Sequence, residues 1–281
     1  MENKNRKLIA IDLDGTTLQS DGHTISRYTK YIFKRVEALG HIICITTGRP
    51  FRMSLDIYRE LELTSPVINF NGGLISMPDN KNWEHTKAHY IDRSFVFDLL
   101  RHQQNFNLDF FAVEYRRKFF LNTFRNVDPK LFGVEKFHPY NRLRADRITD
   151  NPYAVLLSTR QKDKLALAEE MRRHYNGKID VGVWGGPNGI LEIVPKGVSK
   201  ASGLKHLLKV LDIPVENLIA FGDEHNDIEM FKLAPHAYAM KNASKRLIPY
   251  ATEIISWTND EDGVARQLEK LFLKHPASQE E

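Results

Sequence analysis

Short apolar runs that each stop on glycine or small polar residues constrain this chain more than any other feature. Leu8-Ile9-Ala10-Ile11 leads into Asp12-Leu13-Asp14-Gly15, and Ile42-Ile43-Cys44-Ile45 leads into Thr46-Thr47-Gly48. Pro66-Val67-Ile68-Asn69-Phe70 precedes Asn71-Gly72-Gly73, and Leu218-Ile219-Ala220-Phe221 precedes Gly222-Asp223. Unbroken β-branched runs of this length suit strands covered on both faces, which is the condition of a parallel sheet. Helical segments lie between them. Ser26 is placed to cap a helix running to Leu39 and closed by Gly40, and a second helix starts near Pro50. The alternation predicts a doubly wound α/β core with helices on both faces.

The rhythm changes after Gly73 and returns near Ser199. Strands are predicted at Leu108–Val113, Lys118–Asn122, Tyr153–Ser158 and Ile179–Trp184, with helices at Ser94–Gln104 and Lys162–His174. The aromatic-rich stretch from Phe106 to Phe120 reads as a hairpin about Glu114-Tyr115-Arg116-Arg117. The expected fold is therefore a Rossmann-like parallel-sheet core, residues 1–82 and 189–281, carrying an inserted α+β cap domain, residues 83–188. Further core units are expected after Gly222: helices at Asp227–Leu233, Ser244–Pro249 and Glu261–Phe272, and strands at His236–Met240 and Glu253–Ile255.

Composition narrows the functional classes. Hydrophobic residues form 42% and charged residues 27% of the 281, the balance of a globular chain. No run reaches the ~18–20 apolar residues that span a bilayer. The charged start of the chain meets an apolar run too short for a signal-peptide core. The one cysteine, Cys44, precludes an internal disulfide and fits a reducing compartment. A cytoplasmic protein with no membrane or nucleic-acid partner is expected. The net charge is +4, and the segment from Trp83 to Gly189 holds 18 basic residues against 13 acidic ones. These basic residues form no dense stripe, as a nucleic-acid surface would require.

Ligands of open parallel sheets bind beyond the carboxyl ends of the strands. Those ends carry Asp12, Asp14, Gly15 and Thr16; Thr46, Thr47, Gly48 and Arg49; Asn69 and Asn71; and Gly222, Asp223, Asn226 and Asp227. Four carboxylates on one edge repel one another, by roughly 4 kcal/mol for a pair ~4 Å apart at an effective dielectric near 20. A hard cation resolves this, and an all-oxygen donor set without a Cys or His cluster points to Mg²⁺. Carboxylates around Mg²⁺ suit phosphoryl transfer. Asp12 is then the nucleophile, and Asp14 the acid that protonates a leaving alcohol and the base that activates water. Gly15 permits a tight turn, Thr47 supplies a hydroxyl, and Lys200, at a helix start, is placed to clamp phosphate.

Asp12-Leu13-Asp14-Gly15-Thr16-Thr17-Leu18 resembles the phosphatase signature of the haloacid dehalogenase superfamily. Thr47-Gly48-Arg49, Lys200 and Gly222-Asp223-Glu224-His225-Asn226-Asp227 follow in the order of that family's remaining motifs. The position of the insert is similar to that of the Cof-type branch, and the likeness runs from Leu8 to about Leu273. The resemblance implies an α/β core with a cap, and a Mg²⁺-dependent phosphatase of small phosphorylated metabolites, sugar phosphates foremost, acting through an aspartyl-phosphate. It implies Asp12 as nucleophile and metal ligand, Asp14 as acid/base and donor of a backbone carbonyl to the metal, and Asp223 as the remaining ligand. Leu13, through its backbone, Thr47, Gly48, Lys200 and Asn226 would hold phosphate, and Asp227 would stand behind the ligands. Lys196 is the second choice for the family lysine. An intramolecular phosphomutase is the nearest alternative, and a phosphoaspartate receiver a more distant one. Residues at the hairpin tip, Tyr115 and Arg116, are expected to rank substrates.

Overall fold

The computed structural model describes residues 5–184 and 189–273. In chain order the first core segment comprises β1 (Leu8–Ile11), α1 (Arg27–Ala38), β2 (Ile42–Ile45), α2 (Phe51–Glu60), β3 (Val67–Asn69), β4 (Leu74–Ser76) and β5 (Lys87–Ala88). The insert follows as α3 (Arg93–His102), β6 (Leu108–Glu114), β7 (Phe119–Leu121), β8 (Ala154–Thr159), α4 (Lys164–His174), β9 (Ile179–Val183) and β10 (Ile190–Pro195). The core resumes with α5 (Lys200–Val210), β11 (Leu218–Gly222), α6 (Ile228–Leu233), β12 (His236–Ala239), β13 (Glu253–Ile254) and α7 (Gly263–Phe272).

Five parallel strands in the order β13-β12-β11-β1-β2 form the central sheet. Alternation along β1 and β2 explains their unbroken hydrophobicity. Ile9, Ile11, Ile43 and Ile45 join the apolar layer containing Phe33 and Val36 of α1 and Leu268 of α7. Leu8, Ala10, Ile42 and Cys44 face the opposite layer, with Leu204 and Leu207 of α5 and Met230 of α6. Every residue of β1 and β2 is thus buried, Cys44 included. Ser26 caps α1 as expected, accepting from the Thr29 amide at 2.9 Å.

β3 departs from the simple pattern. It touches the central sheet through one parallel bridge, Thr46 to Ile68, and otherwise pairs antiparallel with β4 in a three-strand sheet closed by β5. The helix expected at Ser244–Pro249 is absent; a single 3₁₀ turn, Ile248–Tyr250, stands there. Pro249 lacks the amide needed to propagate a helix.

The insert is an antiparallel sheet, β7-β6-β8-β10-β9, covered on one face by α3 and α4. β10 had no counterpart in the sequence reading, yet it pairs with β8 and β9. β5, which follows the expected boundary at 82/83, pairs instead with core strand β4. Pairing therefore places the crossings between Ala88 and Arg93 and between Pro195 and Lys200. β10, whose apolar run is interrupted by Glu192, carries the pairing of the insert past residue 188. Residues 1–4, 185–188 and 274–281 of the expected ranges lie outside the described residues. Phe51, Phe70 and Leu74 of the core pack with Tyr153, Ala154 and Val194 of the insert, joining the two parts beside the carboxyl edge of the central sheet.

Candidate active site

The chain leaves β1 in a turn that fixes the first motif. The amides of Thr16, Thr17 and Leu18 all point at the Leu13 carbonyl, at 3.3, 2.9 and 2.9 Å. Thr17 Oγ1 donates to the Asp12 carbonyl at 2.6 Å. Gly15 takes φ +70°, and a Cβ there would lie 2.2 Å from Asp223 Oδ2. The glycine is required twice over, by backbone conformation and by the approach of a carboxylate.

Asp12 is buried, and Lys200 Nζ lies 2.9 Å from its Oδ1. The same ammonium donates to Asp227 Oδ1 at 2.6 Å. Asp227 Oδ2 accepts from the amides of Asp223 and Glu224, at 2.9 and 3.1 Å. Both Asp227 oxygens are thereby occupied by protein donors. Asp223 Oδ1 accepts from Thr16 Oγ1 at 2.8 Å. Lys200 opens α5, where a cation opposes the helix dipole. Its full burial there is compensated by the two aspartates.

One ammonium does not balance three carboxylates. Burial first, and then Asp227 and Asp14 against the pull of Lys200, push the Asp12 carboxyl up to about 7. Burial, then Asp12 and Asp227, push Asp223 up to about 8. Burial disfavours the Lys200 charge, but the two aspartates outweigh it and hold the ammonium above the ordinary lysine range. Carboxylate oxygens of Asp12, Asp223 and Asp227 lie within 4.8 Å of one another. All-oxygen donors, buried and short of positive charge, fit a hard divalent cation. With Asp227 engaged on both oxygens, Asp12 and Asp223 are the side chains best placed to hold it.

Asp14 stands at the mouth, its side chain 55% exposed, with Arg49 Nε donating to its Oδ2 at 2.8 Å. Thr47 is fully buried, and its Oγ1 accepts from the Arg49 amide at 3.0 Å. A cavity of about 440 Å³ is lined from the core by Asp12, Asp14, Thr47, Gly48, Asp223 and Asn226. The insert closes it with Glu114, Lys130, Leu156 and Trp184, among others. Leu13, Lys200 and Asp227 stand behind the cavity wall. The geometry thus gathers the expected residues at one edge, with Lys200 held to Asp12 rather than open to a ligand.

Several site residues have no role assigned from the sequence, Asn71 being named there only as a strand-end residue. Asn71, held at φ +50°, bridges the two parts of the chain. Its Oδ1 accepts from Asn226 Nδ2 at 3.1 Å, and its Nδ2 donates to Glu192 Oε2 at 2.6 Å. Trp184 Nε1 donates to the same oxygen at 3.1 Å. Glu114 Oε1 accepts from Arg52 at 2.8 Å across the same junction. A signal existed in β10, where Glu192 is the one acid among apolar residues, an arrangement that is costly without a partner. The hairpin tip itself lies apart from Asp12: Tyr115 and Arg116 line a separate cavity with Tyr90 and Tyr153, whereas Glu114, the last residue of β6, lines the cavity that contains Asp12.

Comparison with known proteins agrees with this geometry. The family model for haloacid dehalogenase-like hydrolases matches residues 9–268. A Bacillus subtilis relative, 5-amino-6-(5-phospho-D-ribitylamino)uracil phosphatase YitU, is 33% identical over 270 residues, covering 94% of this chain and 97% of the relative. A second B. subtilis protein carrying the same activity in its name, YwtE, is 27% identical, covering 95% of this chain and 98% of its own. A haloacid dehalogenase-like hydrolase from Bacteroides thetaiotaomicron has a crystal structure that superposes with a TM-score of 0.76 at 26% identity, covering 95% of this chain and all of that one. Among the described residues no helix is long and apolar enough to cross a membrane. The chain belongs to the haloacid dehalogenase-like hydrolases, in their Cof-type branch, and is a phosphatase.

Proposed function

We propose that this phosphatase hydrolyses a small phosphorylated polyol or sugar with the help of Mg²⁺, through a phosphoaspartate at Asp12. The observation that carries the reading is the position of Asp12, held at 2.9 Å by Lys200, grouped with Asp223, and opening onto a cavity that the insert closes. Two relatives are named for a ribityl phosphate, which supports a polyol leaving group.

Asp12 attacks phosphorus with a carboxylate oxygen, and the bond from phosphorus to the ester oxygen breaks. Asp14 gives its proton to that oxygen, and the alcohol leaves. Asp14, now ionised, takes a proton from water as the water oxygen attacks the phosphoaspartate. Inorganic phosphate departs and Asp12 is regenerated. Lys200 holds Asp12 in place and offsets negative charge, while Thr47, Gly48, Asn226 and the Leu13 backbone are the groups proposed to orient phosphate oxygens. Mg²⁺, held by Asp12, Asp223 and the Asp14 carbonyl, would neutralise the charge that builds on the phosphoryl group. The insert excludes water during transfer.

The test is release of inorganic phosphate from a panel of phosphorylated metabolites, ranked by kcat/KM with Mg²⁺ present. Isomerisation without release would indicate a mutase, and a stable phosphoprotein without turnover would indicate a receiver. Asp12→Asn, checked for folding by circular dichroism, should lose turnover by a factor on the order of 10³ or more. Appreciable residual turnover removes the nucleophile assignment.

A further inference from the structure

Alternation along the cap sheet sends two acids toward the core. On β6, Phe111 and Val113 pack beneath α3 and α4, whereas Phe110 and Ala112 face the other way. Glu114 and Glu192 continue that second face, Glu114 opposite Ala154 and Glu192 opposite Leu156. Glu114 is 1% exposed and Glu192 4%. Such burial demands that every carboxylate oxygen find a donor.

The two acids differ in how far that demand is met. Glu192 Oε2 receives both Asn71 and Trp184. Glu114 receives Arg52 on Oε1 at 2.8 Å, while its Oε2, also buried, has no hydrogen-bond partner. Arg52 Nε beside it lacks a partner as well. A fork–fork pair would have satisfied both atoms. Instead the guanidinium engages the Phe132 carbonyl and stacks on Phe119, leaving the pair held by a single bond. Glu114 lines the cavity that contains Asp12, and Trp184 and Leu156 supply apolar surface around it.

We infer that Glu114 is a specificity-determining residue, whose Oε2 pairs with a hydroxyl on the leaving group of a polyol-type phosphate ester. This deepens the phosphatase reading and rests on it. Burial pushes the Glu114 carboxyl up to about 7, so near neutrality both protonation states are populated. A hydroxyl serves either state, donating to the carboxylate or accepting from the acid. A methylene chain serves neither, and a second carboxylate would be repelled by the ionised form. The site selects for hydroxylated leaving groups.

The experiment compares ribitol phosphate with pentyl phosphate, which match in chain length and differ in hydroxyls. Wild-type enzyme should favour the polyol in kcat/KM by about tenfold or more, the range of a hydrogen bond to a charged group. The double variant Arg52→Leu/Glu114→Leu removes both buried charges together, so no unpaired ion burdens folding. Its polyol preference should contract by about tenfold, mainly through a higher KM for the polyol. A wild-type ratio near one overturns the assignment, and that measurement needs no variant. An unchanged ratio in the double variant also overturns it, since buried water would then satisfy Oε2. If wild type releases phosphate from neither ester nor from any metabolite of the panel, the phosphatase reading itself falls and this one with it.

Discussion

Arg49 clamps Asp14: its Nε donates to Asp14 Oδ2 at 2.8 Å, while the same guanidinium donates to the Gly22 carbonyl at 2.6 Å. The arginine ties the proposed acid to the loop that follows β1. Arg49→Gln should therefore lower kcat for an alkyl phosphate by about tenfold, as imperfectly placed acids do, and Asp14→Asn by about 10²-fold or more. Both losses should shrink with p-nitrophenyl phosphate, whose leaving group needs no proton. Equal losses on the two substrates would place Arg49 outside proton transfer.

Lys200 is wholly inaccessible and bridges Asp12 and Asp227. Removing one member of such a cluster leaves uncompensated charge, which costs about 3–5 kcal/mol. Lys200→Met should lower the urea midpoint accordingly and abolish turnover. Mg²⁺ should recover part of the stability but not the activity. A variant as stable as wild type without metal would show that the aspartates are already protonated in the fold.

The pH response follows from Asp12 and Asp223, raised to about 7 and about 8 against an ordinary 3.8. A raised carboxyl favours the fold in its protonated form. That contribution is complete below the ordinary value and is lost as pH rises through the folded value. Metal-free protein should therefore lose thermal stability between about pH 4 and pH 8. Metal binding must displace those protons, so Mg²⁺ affinity should climb over the upper part of the same interval. Calorimetry in buffers of different ionisation enthalpy should detect proton release near pH 7. Zero release would mean that both acids are ionised beforehand. Ca²⁺, with longer and looser coordination, should bind without restoring turnover.

The core was legible because burial on both faces writes itself as unbroken apolar runs, as in Leu8–Ile11 and Ile42–Ile45. Asp12, Asp14, Thr47, Asp223 and Asn226 were legible because strand ends meet at one edge, which their shared cavity reflects. The cap was harder. β10 carries Glu192 in its middle, so local pattern argued against a strand whose purpose is to present that acid. Glu114 sits at the last position of β6, where an exposed turn residue is the ordinary reading. Both glutamates gain their partners, Arg52 and Asn71, from the other part of the chain. Such tertiary pairing has no signature within a window of neighbouring residues. The same holds for β3, whose sheet is decided by β4 and β5.

Gly15 offers the sharpest separation of metal binding from fold. It adopts φ +70°, and an added methyl would stand 2.2 Å from Asp223 Oδ2 and 2.8 Å from its Cγ. Gly197 provides the control, with φ +77° and no atom within 4 Å of the same added methyl. Either alanine carries a backbone penalty on the order of 1 kcal/mol for the left-handed conformation. Only Gly15→Ala must also displace a carboxylate from the cluster with Asp12. Its Mg²⁺ affinity should fall by about tenfold or more, since a displaced ligand weakens a site at least as much as a lost supporting bond. Gly197→Ala should show the thermal cost while keeping the wild-type Mg²⁺ titration. Equal metal affinities for the two variants would remove Asp223 from the proposed ligand set, leaving Asp12 without a side-chain co-ligand.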